Sequence, residues 1–97
     1  MSKKRGRLQI IHDILLSIKN KGGSIKPTHL LYKSNLSHKM MNEYLDDLKM
    51  KGFVSEGEEG KKRKTKIYLL TNKGYNYLSE YKTVLNFIES FGLEDED

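Results

Sequence analysis

The sequence has no cysteine, no tryptophan and a single proline among its 97 residues. Without cysteine, disulfides and thiolate metal sites are excluded. No apolar run approaches the ~20 residues that cross a bilayer, and no signal-peptide core follows Met1, so a cytoplasmic protein with no membrane partner is expected. Negative charge is weighted to the C-terminus. The net charge is +5, and setting aside Glu94, Asp95, Glu96 and Asp97 leaves +9 on the first 93 residues. Positive charge is therefore concentrated on the body and the N-terminal arm, which favours an anionic partner. The length fits one domain, which buries only about two-thirds of its unfolded surface. With 36% apolar and 32% charged residues, the chain is globular, yet polar enough for a second chain to complete its core.

Catalytic groupings are missing too. His12 and Asp13 are neighbours on a predicted helix, so their side chains diverge by about 100° and form no dyad. The three histidines, His12, His29 and His38, have no i, i+4 spacing, which argues against a metal site. Gly22-Gly23-Ser24 lacks the lysine and the length of a phosphate loop. No enzyme activity, cofactor or small-molecule ligand is expected.

What is present is an ordered series of patterns. Residues 1–7, MSKKRGR, read as a basic arm without an apolar anchor. Leu8, Ile11, Leu15 and Ile18 then recur at 3-4-3 spacing, widened by Ile10 and Ile14, and predict an amphipathic helix that stops at Lys21-Gly22-Gly23. Ser24-Ile25 suits a short edge strand. Pro27 suits the first turn of a second helix, THLLYK, which Ser34-Asn35 breaks. Ser37 is positioned to cap a third helix with Leu36 tucked inward. On that helix Met41, Tyr44, Leu45 and Leu48 share a face, and Lys51-Gly52 ends it. Phe53-Val54-Ser55 and residues 65–70 read as the strands of a hairpin joined by a long charged connection. Thr71 can cap a fourth helix reaching about Phe91. The fold class is α+β, mainly α: a winged helix-turn-helix over residues 8–71, an additional long C-terminal helix over 72–92, and an acidic tail over 93–97.

This order gives the charge a use. Lys61, Lys62, Arg63, Lys64 and Lys66 crowd the hairpin tip, the wing, where cations can meet phosphates beside the groove entered by the third helix. A solvated loop or a localisation signal is the plainer account of such a run. On the third helix, the face opposite Met41, Leu45 and Leu48 carries Lys39, Asn42, Glu43 and Asp46, with His38 at its N-terminal flank. Asn42 and Lys39 are types that contact adenine and guanine edges in a major groove. Residues 37–50 nevertheless have a net charge of −1, so only the N-terminal turn is expected to enter the groove, with affinity supplied chiefly by the wing and the arm. Lys3, Lys4, Arg5 and Arg7 can track an adjacent minor groove or phosphate strand. On the fourth helix Leu78, Tyr81, Leu85 and Ile88 follow 3-4-3 spacing, widened by Tyr77, Val84 and Phe91. A stripe of that width on a helix of ~30 Å predicts a coiled-coil contact with the same helix of a second chain.

THLLYKSNLS (28–37) resembles the T-x-x-(Leu/Met)-Tyr-x-x-Asn-Leu-Ser signature of a family of small archaeal winged-helix proteins. Met41, Tyr44, Leu45, Leu48 and Gly52-Phe53-Val54 follow at that family's spacing. Tyr68-x-Leu70-Thr71-x-Lys73-Gly74-x-x-x-Leu78 is similar to its strand-to-helix junction, and the opening KRGR also fits. The resemblance covers roughly residues 4–80. It implies a dimeric protein that binds double-stranded DNA through the wing and third helix of each subunit, as a chromatin-associated, nucleoid-located protein or a transcription regulator. It also implies dimerisation through an antiparallel coiled coil of the C-terminal helix. The alternative is a winged-helix module that binds another protein within a larger complex.

Overall fold

The computed structural model describes residues 6–92. Within them the elements are α1 (Arg7–Asn20), β1 (Ser24–Ile25), α2 (Pro27–Ser34), α3 (His38–Met50), β2 (Val54–Glu59), β3 (Thr65–Leu70) and α4 (Asn72–Ser90). The strands make an antiparallel sheet in the order β1-β3-β2. Three helices, a hairpin and a closing helix are the winged-helix arrangement expected, mainly helical with a small sheet. No helix among the described residues is long and apolar enough to cross a membrane.

The core gathers one face from each element: Ile10, Ile14, Leu15 and Ile18 from α1, Ile25, Leu30, then Met41, Leu45 and Leu48 from α3, with Val54, Tyr68, Leu70 and Leu78. The buried stripe of α1 is turned from the expected one. Ile14, Leu15 and Ile18 are its centre and Ile10 extends it, whereas Leu8 is 65% exposed and Ile11 packs at the margin. The reason is that α1 must contact α2, β3 and α4 together, and Ile10, Ile14, Leu15 and Ile18 are the residues that join their common core. As expected, α1 stops at a glycine pair. Gly22 and Gly23 take φ of 86° and 100°, and the Gly23 N–H donates to Ile18 O at 3.0 Å, a left-handed exit that costs glycine little.

Two boundaries differ from the sequence reading. Helix α1 begins at Arg7, one residue inside the expected arm. Strand β2 does not end at Ser55 but continues to Glu59, because Glu56, Gly57, Glu58 and Glu59 pair in register with Tyr68, Ile67, Lys66 and Thr65. Acids and glycine are poor strand formers alone; partners on β3, including Lys66 opposite Glu58, override that preference. The charged connection shrinks to residues 60–64.

One junction ties the halves together. Phe53 N–H donates to Leu48 O at 2.9 Å and Thr71 N–H to Phe53 O at 3.2 Å. The Thr71 hydroxyl donates to Gly52 O at 2.6 Å and accepts from Gly74 N–H at 3.1 Å, capping α4 as expected. Lys73 Nζ closes the end of α3 by donating to Lys51 O at 2.7 Å. Gly74 sits so close to this junction that an added Cβ would lie 2.4 Å from Leu70 Cδ1 and 2.6 Å from Phe53 O. Alanine would gain up to about 1 kcal/mol in helix propensity, but a clash with a bonded backbone carbonyl is the larger effect. Gly74→Ala should therefore destabilise the fold by a net ~1–2 kcal/mol, read as a lower urea midpoint; an unchanged midpoint would show that the junction yields.

Candidate nucleic-acid interface

Helix α3 is placed from both ends. Asn35 ends α2 in the left-handed conformation at φ 64°, the residue type besides glycine that tolerates it best. Two residues on, Ser37 Oγ accepts from Met40 N–H at 3.1 Å, so the predicted cap starts α3 at His38. Burial of Met41, Leu45 and Leu48 turns the opposite face outward. His38, Lys39, Asn42, Glu43, Asp46 and Lys49 are all exposed. Lys39, Asn42, Asp46 and Lys49 stand at 3-4-3 spacing and form one stripe along the helix.

That stripe runs into the hairpin. Lys49 Nζ bonds Glu56 Oε2 on β2, and Lys66 Nζ on β3 approaches the same oxygen at 3.4 Å. Hydrogen bonding from Lys49 is the main cause holding the Glu56 carboxyl below the usual carboxylate range. Lys49 is raised in turn, first by its bond to Glu56. Lys66 is raised first by the Tyr68 side chain, over whose ring its ammonium lies at 5.2 Å from the centroid. The exposed face of α3 and the near face of the wing are thus one surface.

At the end of that surface lies the tip. Lys61, Lys62, Arg63, Lys64 and Lys66 are all exposed. Gly60 makes the turn with φ 109°, and a Cβ there would fall 2.2 Å from Arg63 O, so the tip closes over the position where a side chain would project.

Other predicted residues fall elsewhere. Lys3, Lys4 and Arg5 lie outside the described residues. Arg7 is no part of a free arm: its guanidinium bonds Asp47 Oδ2 and stands 5.2 Å from the Tyr44 ring centroid. Lys51 Nζ reaches the same Asp47 oxygen at 3.1 Å. One acid that made α3 look unfit for DNA is therefore neutralised from α1 and from the helix end. On α4, Leu78 is 5% exposed in the chain's own core. Tyr81 stacks on His12 with centroids 4.0 Å apart and its hydroxyl meets Gln9 Oε1 at 3.2 Å. Both are held within the subunit because α4 lies on α1 for its first turns. Leu85, 41% exposed, borders a groove with His12, Leu16 and Lys19 of α1, and the half-buried Ile88 follows it, beside the exposed Val84, Phe87 and Phe91.

Two exposed residues lie outside the sequence expectations. Tyr32 on α2 is 91% exposed, a position that follows from its place off the Leu30 face. Lys49 was counted only toward helix charge, although its spacing from Lys39 and Asn42 already put it on their stripe. Among the described residues no group of three or more His, Asp or Glu is placed to hold a metal ion.

Comparison with known proteins gives a consistent picture. A family model described as winged helix-turn-helix matches residues 4–89. An uncharacterized protein of Methanocaldococcus jannaschii is 34% identical over 88 residues, covering 90% of this chain and 37% of that protein. The chain thus spans little more than a third of that relative's length. Among solved structures, a Streptococcus mutans protein, smu.1704, matches over 100% of both chains with a TM-score of 0.72 and 17% identity. A PadR family transcription regulator from Clostridium difficile matches over 82% of this chain and 92% of its own, with a TM-score of 0.66 and 20% identity. Sso10a-2, a DNA-binding protein from Sulfolobus solfataricus, matches over 96% and 100%, with a TM-score of 0.61 and 24% identity. At these identities the structural likenesses establish a shared fold.

The tip geometry is directly testable. Gly60→Ala forces a residue with a Cβ into a positive-φ turn, at a cost of about 1–3 kcal/mol. Amide resonance shifts should be confined to the hairpin, leaving α3 unmoved; shifts spreading through α3 would show that tip and helix are not separable.

Proposed function

The chain belongs to the winged helix-turn-helix family, and from that premise we propose that it is a homodimeric, nucleoid-associated protein that binds double-stranded DNA to regulate transcription or organise it. The observation that carries the reading is the continuity of the α3 stripe with the cationic wing, bridged at Lys49, Glu56 and Lys66. His38, Lys39 and Asn42 on the first turns of α3 probe the major groove, where Asn and Lys suit adenine and guanine edges. Lys61, Lys62, Arg63, Lys64 and Lys66 hold backbone phosphates, and Lys3, Lys4 and Arg5 extend that contact along the duplex. The fold shared with a transcription regulator and with a DNA-binding protein supports the assignment.

The acids that remain on α3, Glu43 and Asp46, limit how deeply it enters, so affinity rests on phosphate contacts and sequence discrimination is modest. The outer half of α4 supports the dimer. Val84, Phe87 and Phe91 are 53%, 60% and 64% exposed, an apolar surface of the kind that marks a protein contact. Leu85 and Ile88 lie on the same stretch, and a second α4, antiparallel, covers it.

Two measurements test these parts separately. In a binding titration on random duplex, log affinity should fall with log salt at a slope of about −4 to −8, each phosphate contact contributing about −0.9. Replacing Lys61, Lys62, Arg63 and Lys64 with alanine should flatten that slope; unchanged slope and affinity remove the wing from the interface, and absence of binding by the wild type at micromolar protein turns the reading toward a protein partner. For the dimer, Leu85→Glu should sediment as a monomer; a surviving dimer places the subunit contact elsewhere.

A further inference from the structure

The junction between α3 and the wing has an unusual electrostatic arrangement. Two ammonium groups from separate elements, Lys49 on α3 and Lys66 on β3, converge on a single oxygen of Glu56. All three side chains stay open to solvent, at 41%, 52% and 35% exposure respectively. Opposed cations at a partly exposed point form a site for a tetrahedral oxyanion as readily as for a carboxylate. Here the anion is supplied by the protein itself, in the middle of a surface proposed to meet a polyanion.

We propose that Lys49 and Lys66 form a phosphate-binding site for the nucleic-acid backbone, and that Glu56 is its resident competitor, displaced when a backbone phosphate enters between α3 and the wing. The inference rests on the DNA-binding reading above and gives that interface an internal brake. It explains why β2 carries an acid within reach of Lys49 and Lys66, where a neutral residue would leave two like charges facing each other. Glu56 is kept ionised by Lys49, so it occupies the site whenever phosphate does not. An exposed pair of this kind contributes little to folding, which leaves its effect on anion binding as the larger one. The brake lowers affinity for any duplex, and a segment whose backbone presents a phosphate squarely at the junction is favoured over one that does not.

Glu56→Gln keeps the shape of the side chain and removes the charge. Fluorescence anisotropy on a short labelled random duplex, across a salt series, reads the result, with thermal melts confirming that each variant is folded. The variant should bind roughly tenfold more tightly at about 0.1 M salt, with a slope steeper by about one to two units, as one or two phosphate contacts are gained. Glu59→Gln, the same charge change on the opposite face of β2, serves as control and should give less than half of that gain on a logarithmic scale. The gain should disappear when Lys49→Met and Lys66→Met are added. Equal or weaker binding by Glu56→Gln, or an equal gain in the Glu59 control, overturns the proposal while wild-type binding leaves the DNA reading standing. Failure of the wild type to bind duplex at any salt overturns both.

Discussion

The carbonyl oxygens of Lys51, Gly52 and Phe53 are where the molecule is held together. The end of α3, the start of β2, the end of β3 and the cap of α4 all meet there, through Thr71 and Lys73. Because the cap threonine of α4 is also the partner of the α3–β2 turn, the direction of the wing, of α3 and of α4 are set by one group of bonds. Phe53, half-buried, closes over it with an edge-on contact to Tyr77 at 5.6 Å. Gly74 is required there because backbone fills the space its side chain would need. A surface assembled from two elements keeps its geometry only if those elements are rigidly joined, and the join is this junction rather than the hairpin itself.

Electrostatics then decides what the surface does. Taken from the chain, α3 carries more acids than cations; taken in space, Asp47 is bonded to Arg7 and Lys51 and Lys49 is bonded to Glu56. The field presented outward is therefore not the sum over the helix. It is positive at the wing tip, mixed along α3, and balanced at their junction. Exposed pairs of this sort are weak in water, so on the DNA-binding reading proposed above a duplex, with one negative charge per ~1.7 Å of axis, would outcompete them by number. Arrangement, more than net charge, separates a surface that grips any polyanion from one that waits for a fitted one.

Much of this was legible in sequence because local chemistry and tertiary demand agree. The glycine stop after α1, Pro27 opening α2, Ser37 capping α3 and Thr71 capping α4 are short-range signals, and the structure uses each of them. The third helix could be faced correctly because Met41, Leu45 and Leu48 leave one solution. What sequence did not give depends on partners distant along the chain. The length of β2 is imposed by β3, against the preference of Glu56, Gly57 and Glu58. The exclusion of Leu8 from the buried face of α1 is imposed by α2, β3 and α4 together. Arg7 reads as an arm residue until Asp47, forty positions on, is seen beside it. Tyr32 could be recognised as unburied only once the α2 face that packs inward had been fixed at Leu30.

Helix α4 shows how one element can serve two structures. Its 19 residues extend ~28 Å, and they divide at Tyr81. Before it, Gly74, Leu78 and the half-buried Tyr77 bind the helix to its own domain; after it, Val84 and Leu85 only border grooves shared with α1, and Phe87 and Phe91 present exposed apolar surface. The second half is ~15 Å long, short for a stable two-chain coiled coil, where three to four heptads are usual. A contact confined to it would therefore be marginal, and would recruit the neighbouring groove lined by Leu8, Tyr77, Tyr81 and Val84 to reach sufficient area. In the dimer proposed above, Leu8, exposed on the first turn of α1, would widen the surface that α4 alone leaves too narrow. In that proposed dimer the position of α1 relative to α4 would bear on how far apart two wings stand, coupling the subunit contact to the spacing of the phosphates that the pair of wings could reach.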